Sequence, residues 1–208
     1  MAACVLGRSG WGRRSMENVS PSLEQMLAGL KSLATTSFGS GAEQKLRPVD
    51  SWHPAHCGDI GLEIRRDGTW AQEGVRITRE SLVKLFASIL RKDEDGETYL
   101  ITPVEKVRVR VEDAPFLAVR ADRVGEGREQ TIAFTTNVGD VVVADAAHPI
   151  RVVTSAAGEP RPYVLVRGRL EARILRAPFL ELAEWSEERD GAMGVWSSDT
   201  WFSLGARA

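Results

Sequence analysis

Cysteine is nearly absent from this chain: of 208 residues, only Cys4 and Cys57 are cysteine. Two cysteines are too few for a disulfide framework, which excludes the small disulfide-rich class of secreted proteins. Long apolar runs are missing as well, and none approaches the roughly 20 residues of a membrane-spanning helix. Charge of one sign is not in excess, because 27 Lys and Arg face 29 Asp and Glu. We therefore expect neither nucleic acid nor membrane as a partner.

The signature motifs of several enzyme classes are also missing. The chain has no phosphate-binding glycine loop, no Gly-x-Ser-x-Gly nucleophile elbow and no His-Glu-x-x-His zinc motif. We therefore predict no catalytic residues and no cofactor, and we favour a protein that is not an enzyme. What is present is 43% hydrophobic residues, enough for one large or two small domains. This composition predicts a cytoplasmic α+β protein.

The pattern along the chain predicts four segments. Residues 1–15 show no apolar periodicity and are expected to be a disordered extension, with either Met1 or Met16 as the true start. Residues 16–44 form a predicted helix and linker. The apolar stripe of this helix is expected to pack on the first domain or, alternatively, to form a dimer contact. The stripe consists of Leu23, Met26, Leu27, Leu30 and Leu33. An α+β domain is expected at 45–103 and a β-rich domain at 104–208, with the boundary near Pro103.

Apolar periodicity then predicts the elements of the two domains. Alternation from Ile60 favours a strand that ends at the Asp67-Gly68 turn. A second helix is predicted over 78–92, because its apolar residues recur at helical spacing. After it, alternation predicts antiparallel hairpins and meanders. The predicted strands are 99–102, 107–111, 116–119, 131–135, 141–143, 150–153, 163–166, 170–175 and 179–182.

A weak internal repeat accompanies these strands. Ala114-Pro-Phe-Leu117 recurs as Ala177-Pro-Phe-Leu180, and Tyr99 and Tyr163 precede the two copies at nearly matching distances. We interpret this as a duplicated strand unit whose first copy carries the inserted helix 78–92.

One loop collects residues suited to zinc or thiol chemistry. His53, His56 and Cys57 lie within five residues, but His148 is the only further histidine and a ligand set is incomplete. We predict no metal. Cys57 is either an inert thiol or a nucleophile activated by a neighbouring histidine, and the sequence leaves both alternatives open.

Several short motifs together resemble the bacterial family of unknown function DUF1285. The motifs are Cys57-Gly-Asp59, Asp67-Gly-Thr-Trp70, 77–79 with Leu85-Phe86, Thr102-Pro-Val-Glu-Lys106, Val111-Glu-Asp-Ala-Pro-Phe116 and Thr136-Asn137. The resemblance implies two α+β domains with internal duplication, the second superficially like a pleckstrin-homology barrel. It also implies a ligand site between the domains for a nucleotide-like molecule and a role in signalling. No catalytic residue follows from it.

These expectations combine in one functional hypothesis. We expect a non-catalytic protein, a monomer or weak homodimer, that binds a small anionic, nucleotide-like molecule where the two domains meet. The predicted site residues are Trp52, Trp70, Arg79, Thr102, Glu105 and Lys106. The alternative for these residues is structural: Arg79 pairs with Asp67 or Glu105, and the tryptophans belong to the core. The alternative functions are an enzyme that uses Cys57 and histidine, and a protein–protein adaptor.

Overall fold

The computed structural model describes residues 48–156 and 158–206, apart from the side chains of His56, Cys57 and Ala206. Within these residues the chain divides into two compact units. The first comprises 48–63 and Ala71–Arg110, and the second comprises Ile64–Trp70 and 111–206. The predicted extension 1–15 and the predicted helix with its leucine stripe lie outside the described residues.

The first sheet has six strands. They are β1 (His56–Ile64), β2 (Trp70–Gln72), β3 (Val75–Arg76), β4 (Leu90–Lys92), β5 (Thr98–Ile101) and β6 (Glu105–Val111), with helix α1 (Glu80–Ala87) following β3. Their order in the sheet is β3-β2-β1-β6-β5-β4. Ile60 and Leu62 on β1 and Val107 and Val109 on β6 are buried, whereas the residues between them face outward. The sheet therefore buries one face, as the period-two pattern predicts.

The second sheet also has six strands. They are β7 (Phe116–Val124), β8 (Thr131–Thr136), β9 (Val141–Val143), β10 (Ile150–Thr154), β11 (Pro160–Arg167) and β12 (Leu170–Ile174). Their order is β10-β11-β12-β7-β8-β9. The neighbouring strands are antiparallel except β12 and β7, which run parallel with Ala172 opposite Phe116. This parallel pair departs from the expected all-antiparallel arrangement.

The C-terminal part of the second unit contains a helix and a small sheet. Helix α2 (Arg176–Glu184) is followed by a three-stranded sheet, β13 (Glu187–Arg189), β14 (Ala192–Ser197) and β15 (Thr200–Ala206). The predicted strand at 179–182 is therefore wrong. Pro178 and Leu182 are the buried residues of α2 and lie one turn apart, which is a helical spacing. Proline is tolerated in the first turn of a helix, where Pro178 lies.

The two six-stranded sheets share one topology, as the predicted duplication requires. Each consists of a three-stranded meander and a second meander whose last strand pairs with the first strand of the first meander. Helix α1 lies in the connection between the meanders of the first sheet. The corresponding connection of the second sheet, residues 144–149, contains no helix. The helix is thus an insertion in the first copy, as the sequence predicts.

The duplication extends to individual residues on the central strand of the second meander. Tyr99 on β5 and Tyr163 on β11 each lie opposite an arginine on both neighbouring strands. Both tyrosines are buried, and each hydroxyl donates a 2.8 Å hydrogen bond to an aspartate. Burial raises the pKa of both phenols, which stay neutral donors at physiological pH. The two rows are Arg91–Tyr99–Arg108 and Arg151–Tyr163–Arg173.

Two predicted boundaries are displaced. The helix predicted over 78–92 ends at Ala87, because Leu90 instead pairs with Leu100 and begins β4. The domain boundary lies at Arg110 rather than near Pro103. Pro103 is only the turn of the β5–β6 hairpin, since Ile101 pairs with Lys106 across it. Strand β6 therefore belongs to the first sheet.

Candidate functional site

A cleft of about 490 Å³ lies within the first unit, on the outward face of the first sheet. This volume is in the range of sites for small metabolites. Five of its lining side chains are ionisable, and two lining positions are glycine. The lining residues are Asp59, Gly61, Leu62, Glu63, Glu73, Gly74, Arg108 and Arg110.

The floor of the cleft is strand β1, on which Gly61 leaves room for the neighbouring hairpin turn. Gly61 has φ +66°, and a Cβ atom at this position would lie 3.0 Å from Cγ of Glu73. The backbone N–H of Glu73 donates a 2.8 Å hydrogen bond to the carbonyl oxygen of Gly61. The turn between β2 and β3 is thereby held against the floor, and a larger residue at position 61 would displace it.

The turn itself carries an unusual residue. Glu73 and Gly74 have φ +48° and +81°, and type I′ hairpin turns require positive φ at both central positions. Glycine, asparagine and aspartate are favoured there, whereas glutamate adopts this conformation with strain. A carboxylate on a longer side chain is thus held at the rim of the cleft at a cost in stability.

We expect Glu73→Asn to raise the free energy of unfolding by about 0.5 kcal/mol, because asparagine adopts the left-handed conformation with less strain. Urea denaturation of the two proteins at pH 7 measures this difference. Glu73→Ala is the control and gives no gain, because alanine lacks the short polar side chain that stabilises this conformation. A loss of stability in Glu73→Asn would contradict the assignment of strain to this turn.

Two arginines of β6 form the opposite flank of the cleft. Nε and Nη2 of Arg108 contact Oε2 of Glu97 at 3.0 and 2.9 Å, so this guanidinium is already paired. Nη2 of Arg110 lies 3.5 Å from Oε2 of Glu63, and the Arg110 side chain is 77% exposed. Arg110 is therefore the cation that can turn toward a ligand without breaking a short ion pair.

Charged side chains dominate the described lining of the cleft. Among the described residues, none that lines it is a serine, cysteine, histidine or lysine. In the part of the chain that the structure describes, no group of three or more His, Cys, Asp or Glu residues is placed to hold a metal ion. The charged groups can form ion pairs and charge-assisted hydrogen bonds with a polar molecule.

Three of the predicted site residues lie together in the β5–β6 hairpin. Thr102 is buried, and its Oγ1 accepts a 3.0 Å hydrogen bond from the backbone N–H of Glu105. Nζ of Lys106 lies 2.6 Å from Oδ2 of Asp93 and 3.7 Å from the centre of the Tyr99 ring. The ammonium group is thus paired, and these contacts are those of a structural corner.

The other three predicted residues lie on different segments of the chain. Trp70 is 1% exposed, which corrects its predicted role because a buried ring offers no face for stacking. Trp52 is half-buried, and its carbonyl oxygen accepts a hydrogen bond from Arg91. Arg79 precedes α1, and its Nε donates to Oγ of Ser81. In the described part of the chain Arg79 pairs with neither of the expected carboxylates, and none of the six predicted residues lines the cleft.

Comparisons with known proteins agree with the sequence resemblance. The family model for the N-terminal domain of DUF1285, a domain of unknown function, matches residues 47–114. The model for the C-terminal domain of this protein of unknown function matches residues 115–204. The family boundary thus lies close to the division between the two compact units. No curated protein matches the chain.

Two solved structures are similar to this chain. A DUF1285 family protein from Silicibacter pomeroyi DSS-3 is 46% identical, with a TM-score of 0.76 over 85% of this chain and 94% of that one. A DUF1285 family protein from Shewanella baltica OS155 is 30% identical, with a TM-score of 0.48 over 60% of this chain and 91% of that one. With both domain models matched and a relative of high identity over most of its length, the chain belongs to the DUF1285 family.

Proposed function

We propose that this protein is a non-catalytic binding protein for a small anionic, nucleotide-like molecule, which it holds in the cleft of the first unit. The observation that supports this most is the exposed guanidinium of Arg110 at the rim of a cleft of about 490 Å³. A guanidinium presents a planar fork of donors that matches a phosphate or a carboxylate. A protein that binds such a molecule without transforming it is suited to a role in signalling.

The position of the site differs from the sequence-based expectation, but the ligand chemistry is retained. Arg110 replaces Arg79 and Lys106 as the proposed anion-binding cation, because neither of these two lines the cleft and Lys106 is paired with Asp93. The expected likeness of the second domain to a pleckstrin-homology barrel stays a prediction, and the proposal does not rest on it. Among the described residues, every helix is too short or too polar to span a lipid bilayer.

The proposal predicts ligand-dependent stabilisation that requires Arg110. In a thermal-shift screen of nucleotides and related phosphorylated or carboxylated metabolites, a ligand at one hundred times its Kd stabilises the fold by about 2.7 kcal/mol. Arg110→Ala is expected to raise the Kd about tenfold or more, because a charge-assisted hydrogen bond contributes about 1.5–3 kcal/mol.

Arg120→Ala is the matched control, since Arg120 is also an exposed strand arginine in an ion pair with a carboxylate, Asp122. This variant should bind as the unsubstituted protein does. A panel without any shift, or a shift that Arg110→Ala leaves unchanged, contradicts the proposed function. The protein–protein adaptor then becomes the better hypothesis.

A further inference from the structure

The cleft carries opposite charges on its two flanks. Strand β1 lies between β2 and β6 in the first sheet. The β2–β3 turn places Glu73 on one side of β1, and β6 places Arg110 on the other. Asp59 lies on β1 between these flanks. A molecule that fills the cleft therefore meets the carboxylate of Glu73 at one end and, at the other, the exposed guanidinium of Arg110, which has only the 3.5 Å contact with Glu63.

The carboxylates of Glu73 and Asp59 are available to a ligand. Within the described residues, the side chain of Glu73 makes no hydrogen bond or ion pair, and only its backbone N–H is used. Oδ1 of Asp59 accepts a 2.9 Å hydrogen bond from the N–H of Gly61, and its other oxygen accepts none from that part of the chain. Both groups thus retain acceptor capacity beside the cleft.

The strained conformation of Glu73 also favours a contact between its carboxylate and a ligand. Its φ of +48° is unfavourable for glutamate, and neither an ion pair nor a hydrogen bond of its side chain within the described residues offsets that cost. A carboxylate held in this way is suited to contact something outside the chain. Since neither carboxylate has a cationic partner among the described residues, the two would repel a molecule that is anionic throughout.

Building on the proposed function, we infer that the ligand is dipolar. Its anionic group binds Arg110, while hydroxyl or ammonium groups at its other end donate hydrogen bonds to Glu73 and Asp59. The carboxylates then contribute charge-assisted hydrogen bonds and reject anions without such donors. The cleft thereby selects ligands that carry hydroxyl or ammonium groups at the end opposite their anionic group.

Two pairs of probes test this inference by calorimetric titration of the full chain. The first pair is adenosine 5′-monophosphate and its 2′,3′-dideoxy counterpart, which lacks the ribose hydroxyls. The second is the dipeptide alanyl-glutamate and its N-acetyl form, which lacks the ammonium group. In at least one pair, we expect the donor-bearing member to bind about tenfold tighter or more. Inorganic phosphate serves as the anion that has no hydroxyl or ammonium group at a second, opposite end.

The same titrations are repeated with Glu73→Gln and Asp59→Asn, which keep side-chain size, and with Glu126→Gln, an exposed glutamate outside the cleft, as control. The Kd of the donor-bearing probe should rise about tenfold in Glu73→Gln, and the difference within the pair should disappear. Asp59→Asn should weaken the same probe, and Glu126→Gln should not change its Kd.

Equal binding within both pairs, binding of phosphate as tight as that of the larger probes, or no effect of Glu73→Gln would overturn the inference. The absence of binding by all four probes would overturn it too. An Arg110-dependent shift elsewhere in the metabolite panel would in each case leave the proposed function standing. Loss of every Arg110-dependent shift is the separate result that removes the proposed function.

Discussion

Replacing Asp93 by alanine is expected to lower the free energy of unfolding at pH 7 by about 3 kcal/mol, because it leaves two largely buried cations without their carboxylate. The carboxylate contacts Nε of Arg91 and Nζ of Lys106, each at 2.6 Å. The three side chains are only 19%, 16% and 14% exposed, respectively. Urea denaturation followed by circular dichroism measures the difference.

Asp122→Ala provides the comparison. Asp122 pairs with Arg120, but these side chains are 41% and 70% exposed. An exposed pair contributes about 0–1 kcal/mol, since water screens the charges. Equal losses in Asp93→Ala and Asp122→Ala would show that the buried cluster contributes no more than a surface pair, contrary to this prediction.

The contribution of Asp93 also depends on pH. Burial alone would raise the pKa of its carboxyl, but hydrogen bonds and charge from Arg91 and Lys106 outweigh burial and hold the pKa below its usual range. A depressed pKa in the folded state stabilises the fold above the unfolded pKa, and this stabilisation is lost as the pH falls through the folded value. The difference between the parent protein and Asp93→Ala should therefore persist above about pH 4 and shrink below it.

Gly194→Ala is expected to destabilise the second unit by about 3 kcal/mol through overpacking. A Cβ atom at Gly194 would lie 2.5 Å from the carbonyl oxygen of Phe202 and 2.5 Å from Cζ2 of Trp201. The carbonyl belongs to the neighbouring strand β15, which pairs with β14, so the clash can be relieved only by moving the backbone of the small sheet. Denaturant unfolding followed by tryptophan fluorescence measures the loss.

Gly191→Ala in the preceding turn separates this clash from backbone strain. Gly191 has φ +78° and open space around a Cβ atom. Its replacement should cost about 1 kcal/mol, since only the left-handed conformation is penalised. If Gly194→Ala proves no more harmful than Gly191→Ala, the close approach of β15 does not constrain position 194.

The candidate cleft was only partly accessible to sequence reasoning. The alternating strand 107–111 is confirmed as the core of β6, and its period of two places Arg108 and Arg110 on one face. Glu73-Gly74 between two short strands was the available signal for a hairpin turn. Nothing in the local sequence indicates that this turn lies against Gly61, because that contact depends on the positive φ of Gly61 and on the order of the strands.

The Ala-Pro-Phe-Leu repeat shows the limit of local sequence. At 114–117 it leads into β7, where Phe116 and Leu117 are both buried. At 177–180 the same four residues lie in α2, where Pro178 is buried and Leu180 is 51% exposed. The first copy leads into a strand because Phe116 pairs with Ala172 of β12, whereas the second copy belongs to none of the three sheets of the described residues. Identical residues thus adopt different structures according to their partners.

By itself, the sequence determined the family, the α+β class, the duplicated strand unit and most strands, because apolar alternation and turn residues act locally. Only the tertiary structure decided that Leu90 begins a strand, that Trp70 is buried in the core and that Lys106 is paired with Asp93. It also decided that charged side chains surround a cleft on the first sheet. Each of these outcomes depends on which strand or side chain lies alongside, as Leu100 does for Leu90 and Asp93 does for Lys106. Such contacts depend on the tertiary context, and the local pattern of residues does not show them.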